Sequence, residues 1–349
     1  MLVSRKFDIY QKAIIINCLV LSKVWYVSHI YPLSYDFAKS INSHIFPYIW
    51  NSKLNPLKRD ILYNKKDAGG INLLNVFYKA KSIYAKSFLR LFCASSENES
   101  LVKYYCAIRL NPLFKIRRLP TNVSYLSSPL YTPVIDTIRE CSKMKNFPNV
   151  PSREIYEYIT SRQTPKVEEQ YSLFNWKIIW KNVGLKYLCS DDRSVIFKFI
   201  HEILPNKLRL YNIKSKPSPN CDTCNMIENN LHMVYYCKEV KQLLCFLREL
   251  IKKVIIRNNL SLIRLLFFDT SMLRERDSNT VLVLITNYIC TIWYNREHTG
   301  DKLHILKNCI LSSHRYQKLI LKDKMPKVFN EVYCQIDENF LESISIVNS

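Results

Sequence analysis

The sequence predicts a mainly α-helical protein assembled from small modules, and three observations carry that reading. Only four glycines occur in 349 residues, which leaves little material for glycine-rich phosphate loops or a turn-dense β fold. Apolar side chains recur in steps of three and four over long stretches. Cys221-Asp222-Thr223-Cys224, His232 and Cys237 form a C-x2-C-x7-H-x4-C array, whose soft thiolates and imidazole suit one tetrahedral zinc ion.

Four protein ligands fill a zinc shell and leave no position for water or substrate, so the expected ion is structural rather than catalytic. The bland alternative is four unrelated core residues in a chain with twelve cysteines. If His232 rides on a helix, Cys237 lies about 140° further round it. That turn must therefore tighten or end by Cys237.

Taken in order, Phe7, Tyr10, Ile14, Cys18, Leu21 and Trp25 predict one amphipathic helix over 5–29. A second helix covers 35–50, with Ser34 as its cap and Pro47 bending or breaking it. Gly69-Gly70, flanked by short apolar runs, predicts a tight turn or small hairpin, with Lys53, Lys58, Arg59, Lys65 and Lys66 around it. A longer helix runs from Asn75 to about Phe92, with Lys79, Lys81, Lys86 and Arg90 on its polar face. Seven prolines between 111 and 170 predict a tether with short helices at 132–144 and 152–162, the latter capped by Ser152.

Order returns with Trp176 and Trp180 four apart on a short helix closed by Gly184. Asp191 and Asp192 invite comparison with polymerase carboxylates, but they precede Val195, Ile196, Phe197, Phe199 and Ile200 as acidic residues precede a helix. Lys207, Arg209, Lys214 and Lys216 then lead into the Cys/His array. Beyond it, Val240, Leu243, Leu244, Leu247, Leu250, Ile251 and Val254 form an apolar stripe. Three helices complete the chain, at 279–297, 301–324 and 327–345. The middle one is basic and carries Arg315 and Lys318.

Fifty-one Lys and Arg against 29 Asp and Glu leave a net charge of +22. That surplus favours a polyanion, with RNA and/or DNA the commonest inside a cell, held through phosphate contacts. An anionic membrane surface or a solvated basic surface would also accommodate the charge. The apolar runs 13–22 and 281–294 are too short to span a bilayer and are expected as core helices. No membrane partner is expected. The nine cysteines outside the array lack paired spacing, which predicts a reducing setting, nuclear and/or cytoplasmic, rather than secretion.

Leu21-Ser22-Lys23-Val24-Trp25-Tyr26, Ile49-Trp50-Asn51 and the Lys65/Lys66 to Gly69-Gly70-Ile71-Asn72-Leu73 turn resemble the region downstream of the palm in reverse transcriptases of LINE-type (non-LTR) retrotransposons. The array is similar to the zinc-binding segment that follows in that family, where an acidic residue, here Glu228, stands four before the histidine. A tryptophan pair ahead of the array also matches, whereas Leu243 and Leu244 stand where many relatives place a tryptophan. The resemblance covers roughly 5–95 and 172–300.

It implies a thumb-like helical subdomain at 1–110, a proline-rich linker at 111–170, a zinc-binding module at 171–256 and a helical C-terminal region at 257–349. It further implies a non-catalytic C-terminal portion of such an enzyme, whose partners are RNA or DNA and the missing polymerase domains. The sequence carries no Walker loop, dinucleotide glycine pattern, H-E-x-x-H, G-x-S-x-G or polymerase aspartate set, so catalysis by this chain alone is not expected. A standalone zinc-stabilised protein-interaction module and a non-functional transposon remnant are the competing readings.

Overall fold

The computed structural model describes residues 7–93, 130, 132–147, 149–185, 188–255, 261–297 and 300–312. Among these the protein is mainly helical, and the only β pairing is an isolated antiparallel bridge between Asn220 and Ile227. Two compact units divide the chain. One comprises Tyr10–Asn64 and Ile71–Gln163, the other Met1–Ile9, Lys65–Gly70 and Thr164–Ser349.

In the first unit the expected helix over 5–29 is broken into α1 (Ile9–Ile15) and α2 (Ser22–Val27) by a π-helical turn at Ile16–Val20. Asn17 sits in this turn. Its amide donates to the Asn72 carbonyl at 2.9 Å and accepts from the Leu74 N–H at 3.1 Å, which gives the widened turn a partner. Cys18, within the widened turn, faces outward, as does Ile14 in α1, although Tyr10 and Leu21 are buried as expected.

Helix α3 (Tyr35–Trp50) begins at Ser34, whose hydroxyl accepts from the Phe37 N–H. Pro47 does not break it. Lys12, itself buried, caps the far end by donating to the carbonyls of Tyr48 and Ile49 and to Oδ1 of Asn51, at 2.9, 3.2 and 2.7 Å. An ammonium at a helix C-terminus meets the negative end of the dipole.

A one-turn helix, α4 (Arg59–Leu62), precedes α5 (Val76–Cys93). Helices α6 (Thr132–Glu140) and α7 (Ser152–Ile159) pack against α5, so the described part of the proline-rich stretch contributes core. Val134 and Ile138 meet Tyr84 and Leu89 there. Lys81, expected on a polar face, is instead buried and paired with Glu140 at 2.9 Å. Pro151 occupies the N-cap expected of Ser152.

The second unit contains α8 (Lys166–Gln170), α9 (Trp176–Val183), α10 (Ser190–Ile200), α11 (Lys207–Asn212), α12 (Lys241–Val254), α13 (Leu262–Leu266) and α14 (Glu275–Tyr294), followed by a helical segment at 302–312. Asp191 and Asp192 lie in the first turn of α10, as expected of a helix start. Every residue of the stripe from Val240 to Val254 is buried, and α12 packs on α14. Among the described residues no helix is long and apolar enough to cross a membrane.

The Gly69-Gly70 stretch is a tight turn rather than a hairpin. Lys66–Ala68 form a 3-10 turn that ends on Gly69 at φ 80°. Its Lys65–Gly70 segment belongs to the second unit, where the Gly69 carbonyl lies 2.8 Å from Nε2 of His201. Burial pushes the His201 pKa down to about 4. The ring is therefore neutral at pH 7, with its Nε2–H donated to that carbonyl. His201 stacks on Trp180, whose indole N–H reaches Glu168 at 2.7 Å.

A Cβ on Gly69 would lie 2.9 Å from both Pro165 and Trp180, in a left-handed conformation. Gly69→Ala is thus expected to destabilise the protein by about 3 kcal/mol. Gly184→Ala, where the added carbon meets nothing closer than 3.7 Å, should stay within about 0.5 kcal/mol of wild type. Urea denaturation of the two variants checks the contrast.

Candidate metal centre

The first two ligands sit on a knuckle that the backbone closes on itself. The Cys221 N–H donates to the Met226 carbonyl at 2.8 Å, and the Asn225 N–H returns to the Cys221 carbonyl at 2.9 Å. Asn225 takes φ 56°, a left-handed conformation that asparagine tolerates better than most residues.

His232 and Cys237 come from one helical turn. The five-residue spacing is met neither by an ideal α turn nor by a tighter one. His232–Tyr236 widen into a π turn, closed by the Cys237 N–H on the His232 carbonyl at 2.9 Å, and the chain leaves it extended at Cys237. The widening brings both ligands to one face, and such single π turns concentrate at functional sites.

The surroundings hold this turn in place. Oδ1 of Asn229 accepts from the His232 N–H at 2.7 Å, and the buried Tyr288 hydroxyl of α14 donates to the Val234 carbonyl at 2.6 Å. Glu228 fastens α11 to the loop by accepting the Lys207 N–H through its side chain and the Leu208 N–H through its carbonyl. Asn206, the N-cap of α11, donates to Asn230, which in turn donates to the Phe199 carbonyl at the end of α10.

The four donor atoms lie within 4.8 Å of one another. Sγ of Cys221 and Sγ of Cys237 are 3.8 Å apart, and Sγ of Cys224 is 3.2 Å from Nε2 of His232. Two thiolates on one tetrahedral ion with bonds of about 2.3 Å stand about 3.8 Å apart, and a thiolate and imidazole about 3.5 Å. These two pairs match tetrahedral spacing to within a few tenths of an ångström, and the cluster as a whole, within 4.8 Å, could hold a tetrahedral metal ion after closing by up to about 1 Å.

Protonation accords with that fit. Burial drives the Cys221 thiol up, but the N–H groups of Thr223 and Cys224 and the neighbouring thiols outweigh it and hold the group below its ordinary value. Burial, reinforced by Cys221, pushes Cys237 up to about 12. Burial lowers His232, leaving its ring neutral at pH 7 with a lone pair available.

Of the basic residues singled out in the sequence, Lys207, Arg209, Lys214 and Lys216 surround this module. Lys214 and Lys216 are exposed. Lys207 pairs with Asp222, and Arg209 is half-buried, its guanidinium reaching the Glu202 carbonyl. Lys58, Arg59 and Lys65 are exposed and Lys66 is half-buried, with Arg59 lying over the Phe46 ring at 4.5 Å. Arg315 and Lys318 lie outside the described residues, as does the expected 327–345 helix.

A groove of about 370 Å³ opens beside the ligands, lined by Lys207, Lys216, Arg296 and Lys302 together with Asp222 and Glu239. Lys302 pairs with Glu239, and Arg296 rests on Trp293 at 4.1 Å. Arg296 carries little local signal beyond its i+3 spacing from that tryptophan. Asn229, by contrast, stands in a cap position three before His232.

Metal binding must displace protons, at minimum the one on Cys237. Affinity should accordingly rise at least about tenfold per pH unit between pH 6 and 8. A titration with cobalt(II), followed by thiolate-to-metal absorbance, measures this, and a pH-independent affinity would exclude thiolate coordination.

Neither a protein-family model nor a curated protein matches the chain.

Proposed function

We propose that the metal is one structural zinc ion and that the chain binds RNA or DNA through phosphate contacts on the basic surface around it. In this reading it is the C-terminal region of a polymerase of the non-LTR retrotransposon type. The donor set carries the proposal: three thiols and an imidazole at tetrahedral spacing, in a chain with net charge +22. Sulfur-rich four-coordinate sites favour zinc among the common divalent ions, and a shell filled by protein serves structure.

Support for the family reading comes from the order of its landmarks along the chain. The Trp25 segment, the Gly69-Gly70 turn and the Cys/His array follow one another as they do in those enzymes. Polymerase chemistry is then assigned to domains outside these residues. A nuclear or cytoplasmic setting keeps the thiols reduced and able to ligate.

A second reading, a zinc-stabilised protein-interaction module, draws on the exposed apolar face of the first unit. Tyr26, Ile30, Tyr31, Tyr35 and Phe37 are each more than half exposed there, and such patches commonly mark protein docking surfaces.

Purified protein should carry about one equivalent of zinc. Cys224→Ser should lose it and show faster hydrogen exchange over residues 205–256. Zinc-free protein of unchanged thermal stability would refute the metal assignment. Binding to single-stranded RNA and duplex DNA should fall about a thousandfold or more per tenfold rise in salt if four phosphates are engaged. An absence of salt-dependent affinity for either nucleic acid would leave the interaction-module reading in its place.

A further inference from the structure

Two exposed turns are joined through the backbone of the Cys/His module, where the chain leaving the first runs to Asn220, which pairs with Ile227 of the second. One follows α11 and carries Tyr211, Ile213, Lys214 and Lys216. The other is the metal knuckle, with Met226 and Ile227 just beyond Cys224. Their large apolar side chains point into solvent: Tyr211 is 46% exposed, Ile213 53%, Met226 63% and Ile227 55%.

These side chains are held there by a rigid frame. Lys214 at φ 59° and Asn225 at φ 56° fix the two turns, and the N–H groups of Ser215 and Lys216 both reach the Leu210 carbonyl. Glu228 and the Lys207–Asp222 pair tie the knuckle to the start of α11, and the Asn220–Ile227 bridge and the Glu228 N–H on the Pro219 carbonyl tie it to the chain that leaves the other turn. A metal-braced tip that exposes four large apolar residues within one small module gains nothing from them in folding.

The charge around the tip narrows the choice of occupant. Lys214 and Lys216 are exposed beside the apolar residues; of the two carboxylates nearby, Asp222 pairs with Lys207 and Glu228 accepts the Lys207 N–H. An apolar and aromatic centre with a cationic rim matches unpaired nucleic acid, whose bases offer flat apolar faces and whose backbone offers phosphate. An intact duplex hides those faces in its stack and offers such a tip phosphate alone.

Resting on the nucleic-acid reading above, we infer that this tip is a binding site for unstacked bases of single-stranded RNA or DNA. Tyr211 stacks on one base, Met226 and Ile227 pack against the next, and Lys214 and Lys216 hold the intervening phosphates. The site confers a preference for single strands over duplex that the basic surface by itself would not give.

The test uses the full zinc-loaded chain, a fluorescein-labelled twenty-nucleotide single strand and the blunt duplex of the same sequence. A tip variant, Tyr211→Ala with Met226→Gln and Ile227→Thr, should retain its zinc equivalent and its circular dichroism. It should bind the single strand about fivefold or more weakly, with an unchanged salt slope and unchanged duplex affinity. Lys214→Gln with Lys216→Gln should weaken both forms and flatten the single-strand salt slope by about 1.4.

Wild-type single-strand affinity in the tip variant would overturn the inference while leaving the proposed function standing. Failure of the wild-type chain to bind either nucleic acid would overturn both. If the tip variant instead lost binding to phosphatidylserine vesicles with strand affinity intact, the tip would be a membrane contact and the inference would fall.

Discussion

A histidine and a cysteine five residues apart cannot face the same point from an undistorted α-helix, and much of the second unit is arranged around relieving that mismatch. The His232–Tyr236 turn widens, which sets both donors on one side and leaves Cys237 extended. A widened turn has weaker internal bonding than an α turn, so it needs support from outside. Asn229 supplies that support at its start and Tyr288 in its middle. Helix α12 then leaves the site with its whole apolar stripe buried, and it packs on the helix that carries Tyr288.

Crowding three thiols together has an electrostatic consequence of its own. Burial and the neighbouring thiols raise Cys237, whereas at Cys221 burial is outweighed by hydrogen bonds from the Thr223 and Cys224 N–H groups and from the neighbouring thiols, which hold it below its ordinary value. A divalent cation would ease the crowding by offsetting two of the three thiolate charges, and its binding energy would then become folding energy for the loop. The knuckle, the π turn and α11 share hydrogen bonds through Glu228 and Asn230. Stability gained at the ligands therefore extends to the basic residues that flank them.

Much of this was legible in the sequence. The Val240–Val254 stripe, the acidic start of α10, the Ser34 cap and the ligand set each follow from a local rule of period, charge or spacing, and local rules need no knowledge of neighbours. Where a distant partner decides the outcome, the pattern misleads. Cys18 fits an α period but faces outward, in a turn that is widened where Asn17 bonds the backbone at 72 and 74. Lys81 fits a polar face but is buried, because Glu140 meets it from α6. The Gly69-Gly70 pair signalled a turn, yet nothing nearby in sequence could show that Trp180 and Pro165 demand it.

That turn has a bearing on how the protein comes into being. The hydrogen bond between Gly69 and His201 joins residues 132 positions apart, so the unit that carries the Cys/His cluster is assembled from pieces made at different times. During synthesis at about 5–20 residues per second, Lys65–Gly70 must wait several seconds for the surface it fits. A fragment beginning at residue 164 would leave the faces of Trp180 and His201 uncovered. The natural boundary of the unit with the Cys/His cluster is therefore a surface in space, and no single cut in the chain reproduces it.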